Sequence, residues 1–369
     1  MTLSRSSSRQ TPLVAVLLLG IAGSLPVSAA TAGDEPRDRH QAKGPLAARD
    51  LFPIRRGFLQ PDLAGTATLD RGRWELVLTA GVANTLARTT AVEVALENLE
   101  RREPVELDFL RGLDSDRGIH YLDSENHSLE LRASRGLGNG WEVGFSVSWL
   151  TAGGGTLDGL VEDFHSTFGF DQDGRAGTLK DRHLLYLLGD RGEFVIEEAP
   201  GAGLSDLTLK AKKTLHRRGP WEYALDLSLK LPTGDEERLM SSGSTDWGFV
   251  FLAGRPLGLW HLHTGAGAFH LGEWTRLGTF DQNRLTAFTA FERINGNGTS
   301  TLFQLLAFDS PFSDLGILEL EETTYQGSLG AYLPLGERHW LTLNVVENVV
   351  HFESGSDLAF HVGLKSRLP

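Results

Sequence analysis

Apolar and polar side chains alternate along this chain with a period of two, in segments of about 9 to 12 residues, with charges in the middle of the polar face. Trp141, Val143, Phe145, Val147 and Trp149 share one face, opposite Glu142, Gly144, Ser146 and Ser148. Trp221, Tyr223, Leu225, Leu227, Leu229 and Leu231 oppose Glu222, Ala224, Asp226, Ser228 and Lys230. Leu207, Leu209 and Ala211 oppose Asp206, Thr208, Lys210 and Lys212. Near the end, Leu358, Phe360, Val362 and Leu364 oppose Asp357, Ala359, His361, Gly363 and Lys365. Strands of soluble domains usually run to about five or six residues. These are long enough to cross a bilayer at a tilt, and their mid-strand charges need a wet interior. The chain therefore reads as all-β, a single antiparallel transmembrane β-barrel.

Short connections rich in Gly, Asn and Pro fall at Gly136 to Gly140, His216 to Pro220, Arg255 to Gly258, Asn295 to Gly298 and Pro334 to Arg338. Between them lie long connections, the pattern of barrel turns and outer loops. The spans become 74–84, 126–135, 141–150, 205–215, 221–231, 246–254, 259–270, 284–293, 299–308, 322–333, 339–350 and 357–367. That is twelve, an even number that returns the chain to its side of entry. Trp74, Trp141, Trp221, Trp260 and Trp340 each open a strand just after a periplasmic segment, and Trp149 and Trp247 lie at the opposite ends, as aromatic girdles do. Segment 299–308 is apolar on both faces, and 90–97 looks strand-like within an outer loop. His183 to Leu188 and Phe194 to Glu198 read as an added hairpin.

Residues 1–29 read as a signal peptide. Arg5 and Arg9 precede a 12-residue apolar run, Pro12 to Gly23, and Val27-Ser28-Ala29 offers a small-residue cleavage site. Residues 30–52 have no apolar periodicity and read as a flexible periplasmic lead-in, followed by the barrel at 53–369. The expected location is the outer membrane of a Gram-negative cell, reached through the cleaved signal. The 369 residues include no Cys, which excludes disulfides, Cys-ligated metal, a thiol nucleophile and a lipidated-Cys anchor. A net charge of −13 argues against nucleic acid. The expected partners are outer-membrane lipids, the outer-membrane assembly machinery and a small-molecule solute; no cofactor is expected.

The long outer connection Thr151 to Leu204 carries Leu157, Leu160, Val161, Phe164 and Phe168 at helical spacing, with Asp158, Glu162 and His165 on the other side. This predicts a short amphipathic helix near 157–168, folded into the barrel mouth, whose acidic side meets lumenal Lys210, Lys212, Lys230 and Lys365. Glu162-x-x-His165 has the spacing of a carboxylate–imidazole metal pair, but a docked polar helix face is the simpler account. His261 and His263 share a strand face, yet two ligands alone make no zinc site. Leu231-Pro232-Thr233-Gly234-Asp235 ends a strand in a turn and lacks what a phosphate loop needs.

The chain resembles the outer-membrane proteins grouped as domain of unknown function 3187. The resemblance rests on Pro53-Ile54-Arg55, Leu122-Asp123-Ser124-Glu125 and Gly153-Gly154-Gly155-Thr156-Leu157-Asp158-Gly159 with Phe164-His165. Leu229-Lys230-Leu231-Pro232-Thr233-Gly234-Asp235 and Asp357-Leu358-Ala359-Phe360 add to it. It implies an outer-membrane barrel and no established activity. Many such barrels end on an aromatic residue, whereas this one ends Arg367-Leu368-Pro369, with Phe360 the nearest aromatic. The functional expectation is a narrow channel for small solutes, its lumen partly occluded by the 151–204 loop. The alternatives are a membrane lipid hydrolase using His165 or His361, or a structural or adhesive barrel; enzymatic activity is the weaker expectation, because no paired nucleophile is visible.

Overall fold

The computed structural model describes residues 41–369 except 100, 116, 170, 171, 173, 280, 281 and 351–353. The signal-peptide assignment falls outside them. The strands are β1 (Trp74–Arg88), β2 (Ile119–Gly138), β3 (Trp141–Gly153), β4 (Leu184–Gly189), β5 (Gly192–Ile196), β6 (Ala202–Leu204), β7 (Leu207–Arg218), β8 (Trp221–Leu231), β9 (Asp246–Leu257), β10 (Trp260–Leu271), β11 (Gln282–Ile294), β12 (Ser300–Phe308), β13 (Thr324–Pro334), β14 (His339–Val350) and β15 (Leu358–Leu368). Twelve of them form a ring, β1-β2-β3 followed by β7 to β15 in order, every neighbour antiparallel. The ring closes where β15 pairs β1, from Trp74↔Leu368 to Asn84↔Leu358. All twelve expected spans are present, and the closed ring leaves no sheet edge along its length.

The alternation becomes an inside-out protein. On β8, Leu227 and Leu229 are exposed while Asp226 and Lys230 are buried. On β9, Trp247, Phe249 and Phe251 face outward, and Asp246, Val250 and Leu252 inward. An outer surface of Leu, Phe and Trp around a charged interior is stable against hydrocarbon, not water. Trp74, Trp141, Trp149, Trp247 and Trp260 stand exposed. At the short-turn rim, Arg135, Lys213, Arg255 and Arg293 lie over the rings of Trp74, Trp141, Trp221 and Trp260, with the cation 5.1, 5.2 or 5.9 Å from the ring centroid. Trp340 departs from the girdle: it is 3% exposed and packs inward with Leu46, Leu302 and Tyr332.

Long connections fold into a cap at the other end. Segment 90–97 is helix α1 (Thr90–Glu97), not a strand. Its buried Val92 and Leu96 lie one helical turn apart and pack with Leu110 of α2 (Leu107–Arg111) against Tyr121 and Tyr186. The expected 183–198 hairpin is β4–β5, which extends the outer end of β2. The amphipathic helix forms as α3 (Asp158–Phe168), ended by Gly169 in the left-handed conformation. A short helix, α4 (Leu318–Glu321), completes the cap.

The described part of the lead-in, from residue 41, is not a flexible periplasmic tail. It enters the lumen at the short-turn end, rises to the cap, turns at 53–58 and descends to β1. Its Leu46, Leu51, Phe52 and Ile54 are at most 2% exposed. The segment lacks helical or strand periodicity because neighbours surround it on all sides, so burial imposes no period.

Candidate functional site

The lumen and the hairpin that fills it are the candidate site. The rising limb is bound by the wall of β11 to β15. The amides of Lys43 and Gly44 donate to the Glu292 carboxylate at 2.9–3.1 Å. Leu46 N donates to Gln304 Oε1 at 2.6 Å, and Gln304 Nε2 donates back to Leu46 O at 3.3 Å. Wall side chains thus supply the partners that a strand would, satisfying an irregular backbone at membrane depth. Tyr332 and Lys365 donate to the carbonyls of Pro45 and Lys43.

At the apex, Arg55 pairs with Asp50 at 2.6 Å and Arg56 is enclosed, donating to Asn126 Oδ1 at 2.9 Å and Leu239 O at 3.1 Å. Gly57 passes so close to the Ser241 backbone that a Cβ there would sit 2.9 Å from its carbonyl carbon. Lys230 donates to Gly57 O at 2.8 Å while paired with Asp206 and Asp246. Phe52, Ile54 and Phe58 join Trp274, Phe312, Leu315 and Ile317 of the cap in one apolar cluster. The falling limb meets β2, β3, β7 and β8. Asp62 is gripped by Arg132 at 2.5 Å and by Lys210. Leu69 N donates to Glu142 Oε2 at 2.8 Å, and Thr214 Oγ1 donates to Thr66 O at 3.0 Å. The voids beside the hairpin measure about 40 and 30 Å³, space for a few waters.

The residues singled out in the sequence are placed differently from the expectation. Lys210, Lys230 and Lys365 line the lumen and bind the hairpin, while Lys212 pairs with Glu142 at 3.3 Å. None of these pairings is with α3. Its Asp158 meets Arg175 at 3.0 Å and accepts from Asn84 Nδ2 at 2.9 Å, and Glu162 pairs with Arg102 and Lys180. Arg175 also reaches Asp357 at the start of β15, so the outer loop is locked onto the barrel mouth rather than inserted into the lumen. His165 is buried on α3. His361 Nε2 lies 3.1 Å from Arg49 O, which fixes that nitrogen as a donor and not as a base. His261 and His263 stack at 4.4 Å, with His263 3.2 Å from Glu292. What sequence reasoning missed is the hairpin; its trace was the second apolar face of 299–308, where Leu302 packs on Leu46.

The family model described as "Protein of unknown function (DUF3187)" matches residues 27–368. The chain belongs to that family. Among solved structures, an outer membrane channel from Pseudomonas putida F1 shares 13% identity at a TM-score of 0.49, over 84% of this chain and 100% of that one. The NanC porin shares 9% at 0.42, over 79% and 100%, and the KdgM porin 8% at 0.39, over 79% and 98%. No curated protein matches. The barrel of this family member rests on its own strand pairing.

Proposed function

We propose that this protein is an outer-membrane channel for small solutes, held shut by its own N-terminal hairpin. The observation that carries the reading is the nature of the hairpin's grip at mid-barrel. Side-chain hydrogen bonds and ion pairs hold it there, with Leu46, Leu59 and Leu63 packed on apolar parts of the wall, and among the described residues no strand pairs with it. The polar contacts exchange for water when a segment leaves, and the charged side of the wall from β2 to β8 stays hydrated. The cap seals the outer end by apolar packing on the hairpin apex, so withdrawal toward the short-turn, periplasmic side also removes the underside of that seal. Planar-bilayer recordings test this. The intact protein should be closed or nearly so, and a chain lacking residues 43–68 should show a steady conductance. A folded, heat-modifiable deletion that never conducts would leave a sealed structural barrel as the reading.

A further inference from the structure

The lumen wall has two unlike sides, and the hairpin presents a matching group to each. From β2 to β8 the inward side chains are polar or small, with the charges of Glu130, Arg132, Glu142, Lys210, Lys212 and Asp226 among them. From β9 to β11 they include Val250, Leu252, Phe269 and Phe288, all at most 5% exposed. Glycines let these rings lie against the wall: a Cβ at Gly265 would meet the Phe288 ring at 2.5 Å, and one at Gly248 the Phe269 ring at 2.3 Å. The falling limb places Leu59 and Leu63 in the apolar cluster with those four residues, and the Asp62 carboxylate between Arg132 and Lys210 on the charged side. Glu130 holds Arg132 through Nε at 2.7 Å, leaving Nη1 for Asp62, and Glu142 occupies Lys212. One carboxylate receiving two cations from two strands, flanked by apolar side chains on a facing aromatic wall, has the form of a bound amphipathic anion.

We propose that Asp62 with Leu59 and Leu63 stands in for the solute. When the hairpin withdraws, Arg132 and Lys210 receive the carboxylate of a small organic acid whose apolar body lies along Val250, Leu252, Phe269 and Phe288. This rests on the gated-channel reading and names its solute class. Asp226 is the built-in competitor, because it lies opposite Lys212 and next to the partner position of Lys210 across β7 and β8.

The test is current block in the chain lacking residues 43–68, with hexanoate, acetate, hexan-1-ol and hexylammonium as probes. Hexanoate should block at a concentration about tenfold lower than each of the others, a difference of one well-made ionic or apolar contact. Lys210→Ala and Arg132→Ala should remove the preference for hexanoate over hexylammonium. Phe269→Ala should remove the preference over acetate and leave the charge preference, and Asp226→Asn should strengthen block. If the shortened chain does not fold, full-length Asp62→Ala carries the test: hexanoate should block its open events at a lower concentration than acetate, hexan-1-ol or hexylammonium does. A folded, shortened chain that is silent overturns the channel reading itself. One that conducts but treats the four probes alike, or keeps its preference in Lys210→Ala, overturns the organic-acid site alone.

Discussion

At the scale of single residues, Arg56 and His183 show how the hairpin apex and the outer loop sense each other. His183, just before β4, bonds Ser124 Oγ at 3.1 Å. Burial, with the Arg56 charge adding to it, pulls its imidazole from an ordinary 6.5 down to about 4. A detached loop therefore takes up a proton near pH 6.5, and a docked one only near pH 4. Docking is at full strength above about pH 6.5 and weakens as pH falls toward 4, because protons favour the detached form throughout that window. Limited proteolysis within 154–206 should accelerate as pH drops from 7 to 4.5, and His183→Gln should flatten the dependence. A wild-type rate that does not change over this range would contradict the assignment. Residue roles were only half legible in the sequence. That Lys210, Lys230 and Lys365 point inward follows from the period of two, but their partners lie 148, 173 and 322 positions away along the chain. No local pattern specifies a contact at that separation.

Among the elements, the strands were the legible part, because each carries its own two-faced environment in its pattern. β8 is an example: Leu227 points out and is exposed, and Ser228 points in, opposite Lys210 of β7. Leu227→Arg should cost about 2–4 kcal/mol, the expectation for Arg near the bilayer midplane. A fluorophore on Cys at 227 should be quenched by lipid-borne quenchers and one at 228 should not, and the lack of native Cys keeps this labelling specific. Lipid quenching at both sites, or at 228 alone, would refute the register. Helix α1 escaped because Ala, Val and Leu at 91–96 satisfy either period over so short a stretch, and only packing on the cap selects the helix. β12 and Trp340 misled in the opposite sense. Their inward apolar side chains suit no watery lumen, and they make sense only once Leu46 is known to lie on them.

The whole molecule is a barrel whose lumen is filled by the segment that precedes its first strand. Residues 30–52 read as a flexible lead-in because the hairpin that their described part begins takes much of its order from the wall: the Glu292, Gln304, Asp246 and Glu142 side chains bond its amides, and the cap covers its apex, where Asp50 pairs with Arg55. In the proposed gating, a segment held that way is ordered while it fills the lumen and loses that order when it withdraws. The most direct measurement is bilayer conductance of the double variant Asp62→Cys with Lys210→Cys, bridged by a short thiol-specific cross-linker that a reductant cleaves. The bridge pins the hairpin to β7 at mid-lumen, and the absence of other Cys makes it unique. The bridged protein should be silent, and cleavage should produce openings in the same membrane that cross-linker alone does not produce in the wild type. Equal conductance before and after cleavage would contradict the account, because the hairpin would then not be what closes the barrel.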